Sequence, residues 1–67
     1  MSRKNLKKFR IDLNLKAKEV AEKTKISGSH YSNIENGSKD PSYDYMVLFA
    51  ETFNIDEKDV WLLFKKS

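Results

Sequence analysis

Ser29, His30 and Ser32 are the residues whose types could carry covalent chemistry in this chain. A hydroxyl nucleophile needs a base within hydrogen-bond reach and a third group that orients the base. Adjacent residues on a helix do not face each other, and no carboxylate is spaced to orient His30. The set is a catalytic one in composition only, and the chain does not read as an enzyme. A metal is no better served, because His30 is the only histidine, there is no cysteine, and no second ligand stands at a useful spacing. The missing cysteines also exclude disulfides, zinc fingers and iron–sulfur clusters, and they fit a reducing compartment. Asn36-Gly37-Ser38 matches a glycosylation acceptor, but with no signal peptide the match is chance. The residues imply no cofactor and no small-molecule ligand.

Charge is the remaining chemistry, and it is uneven. Residues 1–25 hold nine Lys/Arg against three acids, a balance of +6, whereas residues 26–67 hold four against seven, a balance of −3. A basic half and an acidic half suit a polyanionic partner on one side. A lysine-rich solvated helix face is the plain alternative.

These residues are positioned by a chain of 67 residues, read as one domain over 1–67, with 39% hydrophobic and 34% charged residues. A chain this short buries only about 60% of its unfolded surface. The composition is that of a soluble globular domain, with no apolar run near the ~18 residues that cross a bilayer. One proline and two glycines argue against a many-stranded β fold. The expected fold is all-α, with five short helices.

Leu6, Phe9 and Leu13 predict a first amphipathic helix over 3–13, with Ser2 as N-cap. Val20, Ala21 and Thr24 mark a second over 17–24, whose start is poorly signalled because Lys16 stands at the cap. Ser27 caps a third over 28–35, with Tyr31 and Ile34 inward. Asn36-Gly37 ends it, both residues tolerating a left-handed conformation. Ser42 caps a fourth over 43–53, with Tyr43, Met46, Phe49, Ala50 and Phe53 on one face and Asn54 closing it. Asp56 caps a fifth over 57–65, with Val60 and Phe64 inward. Tyr31 is core, and Lys65-Lys66 is a solvated helix end.

Only Lys25-Ile26-Ser27 joins the second helix to the third, the geometry of a helix-turn-helix. Leu15 through Gly37 resembles the helix-turn-helix of the Cro/C1-type (Xre family) repressors of phages and bacteria. The most specific stretch is Ser32-Asn33-Ile34-Glu35-Asn36-Gly37, followed by Pro41-Ser42. Val20-Ala21, Ile26-Ser27 and Asp59-Val60-Trp61-Leu62-Leu63 also match, so the resemblance covers essentially the whole chain. It implies a lambda-repressor-like DNA-binding domain whose third helix enters the major groove. The base-reading positions would be Gly28, Ser29, His30, Ser32 and Asn33. Phosphate contacts would come from Lys16, Ala17 and Ser27, and from Asn36, Ser38 and Lys39 after the third helix. The family's structural ion pair would be Arg10 with Glu35. The implied partner is double-stranded DNA, with no membrane association, in the cytoplasm at the nucleoid of a bacterial or phage-infected cell.

The chain departs from the family at three positions. Ala17 stands where the family often has a phosphate-holding Gln. Lys25 replaces the turn glycine, and so accepts a strained φ or shifts the turn. Gly28 replaces a long polar side chain at the first reading position. No Lys, Arg, Asp or Glu occurs from Ile26 to Ile34, and of the readers only Asn33 can make a bidentate contact to adenine. These departures motivate a second reading, a helix-turn-helix scaffold reused as a protein-interaction module. Ile11, Val47 and Leu48 fall off the inward stripes, as does part of Trp61-Leu62-Leu63. Leu48, Trp61 and Leu62 are the expected homodimer surface, suited to a palindromic operator.

Overall fold

The computed structural model describes residues 1–67 as five helices: α1 (Lys4–Asp12), α2 (Ala17–Lys23), α3 (Gly28–Glu35), α4 (Tyr43–Phe53) and α5 (Glu57–Leu63). Each helix gives at least one side chain to a shared core, in which Leu6, Val20, Tyr31, Ile34, Phe49 and Val60 are fully buried. Phe49 is its aromatic centre, edge-on to Phe64 (centroids 5.1 Å apart) and 4.7 Å from Phe53, with Phe9 closing the cluster against Phe53 at 5.6 Å. Such tilted and edge-to-face pairs add to the burial of the rings themselves. The molecule measures 24 × 24 × 23 Å.

Two of the expected caps form as drawn. Ser27 accepts from the His30 amide (3.0 Å) and Ser42 from the Tyr45 amide (3.1 Å). The poorly signalled start of α2 is handled from inside the helix, where Glu19 accepts from the Lys16 amide at 2.8 Å. Asp56 holds the N-cap position of α5 without a side-chain bond. Lys25 takes the strain, adopting φ 63° rather than moving the turn. Asn54 is left-handed as expected (φ 56°).

Several expectations are corrected. Ser2 does not cap α1, which begins after Arg3, because the Arg3 amide donates to the Glu35 carbonyl (2.8 Å) and fixes the entry of the chain. Leu13 is 47% exposed, since α1 ends at Asp12 and Asn14 turns the chain at φ 59°. Asn36 stays right-handed, and Gly37 alone makes the stop at φ 88°. A Cβ on Gly37 would fall 1.8 Å from the Met1 carbonyl oxygen, so the N-terminal segment lies directly over this turn. Tyr43 leaves the α4 core stripe and stacks on Trp61 (5.8 Å, 26°), while Tyr45 is buried instead. Tyr45 can be buried because its hydroxyl has a partner. Thr24 Oγ1 donates to the Val20 carbonyl and accepts from Tyr45 Oη, both at 2.8 Å. Burial raises the Tyr45 pKa.

Arg3 is the least foreseeable core residue. It is 3% exposed, and its guanidinium donates to the carbonyls of Phe64 (2.7 Å), Ile34 (2.6 Å) and Lys39 (3.0 Å) and to Asp40 Oδ1 (2.8 Å). It satisfies carbonyls left open at the ends of α3 and α5 and ties both to the α3–α4 loop. Asp40 is exposed, and its bonds to Arg3 and then Lys66 hold its carboxyl below the usual range.

Candidate nucleic-acid interface

The inward pair Tyr31 and Ile34 sets the roll of α3. Ser29, Ser32, Asn33 and Asn36 are left on the outer side, with His30 exposed at its edge. Nothing lies within 4 Å of where a Gly28 Cβ would stand, so packing does not demand glycine there and the first turn of the helix is bare.

The outer ridge of α3 divides two polar hollows. One brings together Ser27, Ser29, His30, Asn33 and Lys39, uniting three expected readers with two expected phosphate contacts. No acid lines it. Outside the helix ladder Asn33 is bonded only through its carbonyl, which accepts from the Lys39 amide (3.0 Å) and the Ser38 hydroxyl (3.4 Å), so its side-chain amide is left without a partner. The other hollow holds Ser32 and Asn36 with Ser2, Lys7 and Glu35. Asn36 Oδ1 accepts from the Ser38 amide (2.9 Å) and closely from the Ser38 hydroxyl, which engages Ser38 within the loop. Lys16 stands apart from both, beside Ile11, Asn14, Leu15 and Glu19. Ala17 is half-buried against the core and offers no polar side-chain atom.

Arg10 and Glu35 tie this ridge to α1. The pair is bidentate, with Nε to Oε2 and Nη2 to Oε1 both at 2.9 Å, and Arg10 Nη1 also donates to the Leu15 carbonyl at 3.0 Å. The two side chains are only 15% and 13% exposed. Burial pushes the Glu35 pKa up, but its hydrogen bond from Arg10, with Tyr31 and the Arg10 charge, outweighs burial and holds the carboxyl below its ordinary value. The hydrogen bond to Glu35 raises the Arg10 pKa. Tyr31 Oη is buried beside this pair without a well-formed hydrogen bond, and burial, then the nearby Glu35 carboxylate, drive its pKa far up.

An apolar groove lies on a different face, formed by Pro41, Met46, Trp61, Leu62 and Phe64 and bordered by Arg3, Asp40 and Lys65. Trp61 and Leu62 are 43% and 58% exposed. Leu48 is half-buried and does not join them, since it stands two residues, about 200°, around α4 from Met46. Sequence reasoning singled out neither Arg3 nor Lys7. The signal was available: Arg3, Lys7 and Arg10 repeat at helical spacing along one side of α1, next to the apolar Leu6–Phe9 stripe.

Three comparisons bear on this arrangement. Residues 4–67 match the family model described as a helix-turn-helix domain. The chain is 34% identical over 64 residues to the HTH-type transcriptional regulator YqaF of Bacillus subtilis (strain 168), itself described as uncharacterized, covering 96% of this chain and 79% of that one. The crystal structure of the clp gene regulator ClgR from C. glutamicum superposes with a TM-score of 0.75 at 25% identity, covering 90% of this chain and 78% of that one.

Proposed function

The chain belongs to the helix-turn-helix domain family, and on that premise we propose that it is a sequence-specific DNA-binding transcriptional regulator that inserts α3 into the major groove. The observation that carries the reading is the acid-free hollow in which Ser27, Ser29, His30, Asn33 and Lys39 converge on the outer face of α3. Asn33 reads adenine through its free amide, Ser29, His30 and Ser32 contact neighbouring base edges, and Gly28 lets the backbone approach closely. Lys39 and Ser27 on one flank of α3, Asn36 on the other, and Lys16 at the start of α2 hold phosphates.

The protein acts as a repressor of the phage or mobile-element type, by occupying its operator. It does so as a homodimer joined through the apolar groove at Trp61 and Leu62. A palindromic operator asks the two α3 helices of such a dimer to stand about 34 Å apart, one turn of DNA. Its place of action is the cytoplasm, at the nucleoid.

The test is the salt dependence of duplex binding. A dimer that neutralises about 6–8 phosphates gives log K against log salt a slope near −5 to −7. A flat salt response, with tight binding to another protein, would favour the interaction-module reading that Ala17 and Gly28 motivate.

A further inference from the structure

Of the cationic residues in the first ten, only Lys7 lines a hollow beside α3. Arg3 is buried and Arg10 is paired with Glu35. Lys8 pairs with Asp12 (3.0 Å) on the side of α1 that carries Asn5 and Phe9 and lies beside Leu63. Lys7 is exposed, enters none of the chain's ion pairs, and lines the second hollow beside α3 together with Ser2, Ser32, Glu35 and Asn36.

The chemistry of that hollow is one-sided. Both oxygens of the only acid, Glu35, are held by Arg10. Asn36 Oδ1 is held by Ser38, which leaves the Asn36 amide nitrogen as the free end of that side chain. The groups that remain open are the Lys7 ammonium, the Asn36 NH2 and the hydroxyls of Ser2 and Ser32, a donor set suited to a phosphate oxygen. Ser32 and Asn36 already stand on the outer side of α3, so a duplex seated on that ridge brings a sugar-phosphate strand along this hollow.

We propose that Lys7, with Ser2 and Asn36, forms a second phosphate-binding flank of the interface, opposite the Lys39 flank across α3, and leaves Ser32 at its inner edge to the bases. This rests on the DNA-binding reading of α3. Two walls of donors on either side of the reading ridge fix its roll in the groove, which matters for a helix whose readers are short. The competing role for Lys7 is internal, since its charge also helps keep Glu35 ionised.

The experiment measures binding of the full chain to its preferred duplex and to a scrambled duplex, from about 50 to 300 mM salt. Lys7→Gln is expected to make the log–log slope shallower by about 0.9 per protomer and to weaken both duplexes alike. Lys7→Arg should restore the slope, and Lys8→Gln should leave it at the wild-type value. An unchanged slope in Lys7→Gln, with only the thermal midpoint shifted, overturns the proposal in favour of the internal role. Inorganic phosphate is titrated at constant ionic strength as a second arm. Saturable amide shifts at Lys7, Ser32 and Asn36, combined with an unchanged DNA slope, would make the hollow a free-anion site and also overturn it. A wild type that shows no salt-dependent DNA binding overturns the parent reading, and this one with it.

Discussion

Asn33 carries the residue-scale argument, because among the short side chains of α3 it alone can make a bidentate amide contact to adenine. Asn33→Ala is expected to relax the preference at one base pair per half-site and to cost roughly 1–3 kcal/mol on the best duplex. Equal losses on preferred and scrambled DNA would make it a phosphate contact instead. The Arg10–Glu35 pair makes a different kind of prediction. Its bidentate geometry and 13–15% side-chain exposure place it with buried pairs, so Glu35→Ala strands a guanidinium and should cost about 3 kcal/mol. The folded-state pKa of Glu35 is lowered, so its stabilisation is fully present above the unfolded carboxylate value of about 4.3 and is lost as pH falls through the folded-state value. Urea unfolding from pH 7 to pH 3 should show that acid loss in the wild type, and less of it in Glu35→Gln. The pair was legible because both partners stand at positions the family resemblance marks. Arg3 and Lys7 were missed because a net charge counts cations without placing them: their helical spacing with Arg10 was readable, but not what either side chain would meet. The carbonyls that Arg3 satisfies, at Ile34, Lys39 and Phe64, come together only after folding.

At the scale of elements, the helices were legible wherever a local group closes them. The hydroxyls of Ser27 and Ser42 cap α3 and α4, and left-handed Asn54 ends α4. What could not be read was set by contacts distant in sequence. Tyr45 rather than Tyr43 fills the core because Thr24, 21 positions away, meets its hydroxyl. Leu13 reaches solvent because of the turn at Asn14, which a three- and four-residue apolar spacing does not reveal. The α3 stop illustrates both cases. Its glycine is visible in the sequence, but the Met1 carbonyl packed over it is not. Gly37→Ala meets two penalties, about 1–2 kcal/mol for a left-handed alanine and the displacement of the Met1 backbone. The sum should exceed about 2 kcal/mol, lowering the thermal midpoint of so small a domain by roughly 10 °C or more. An unchanged midpoint would contradict both the left-handed turn at Gly37 and the N-terminal segment lying over it.

Across the whole molecule, the outer ridge of α3 and the apolar groove occupy separate faces, and Arg3 links them by bonding to the ends of α3 and α5 and to the loop that carries Lys39. The groove was half legible. Four large apolar residues in a row, Trp61 to Phe64, exceed what one amphipathic stripe can bury, and Trp61 and Leu62 are indeed exposed. Their neighbours are Met46 and Pro41 rather than Leu48, a matter of helix rotation that sequence spacing on α4 left open. Leu62→Glu should keep the circular dichroism of the wild type, sediment as a monomer where the wild type is a dimer, and bind DNA much more weakly than Lys39→Ala does. A wild type that stays monomeric at high concentration, both free and on DNA, would remove the groove from this role. The central claim, that α3 reads DNA sequence, is tested most directly by selecting bound duplexes from a random pool. The account predicts an enriched palindrome with half-site centres about one helical turn apart, containing an A·T pair whose preference disappears with Asn33→Ala. A pool that emerges unenriched, from protein that is folded and active in binding another partner, would contradict it.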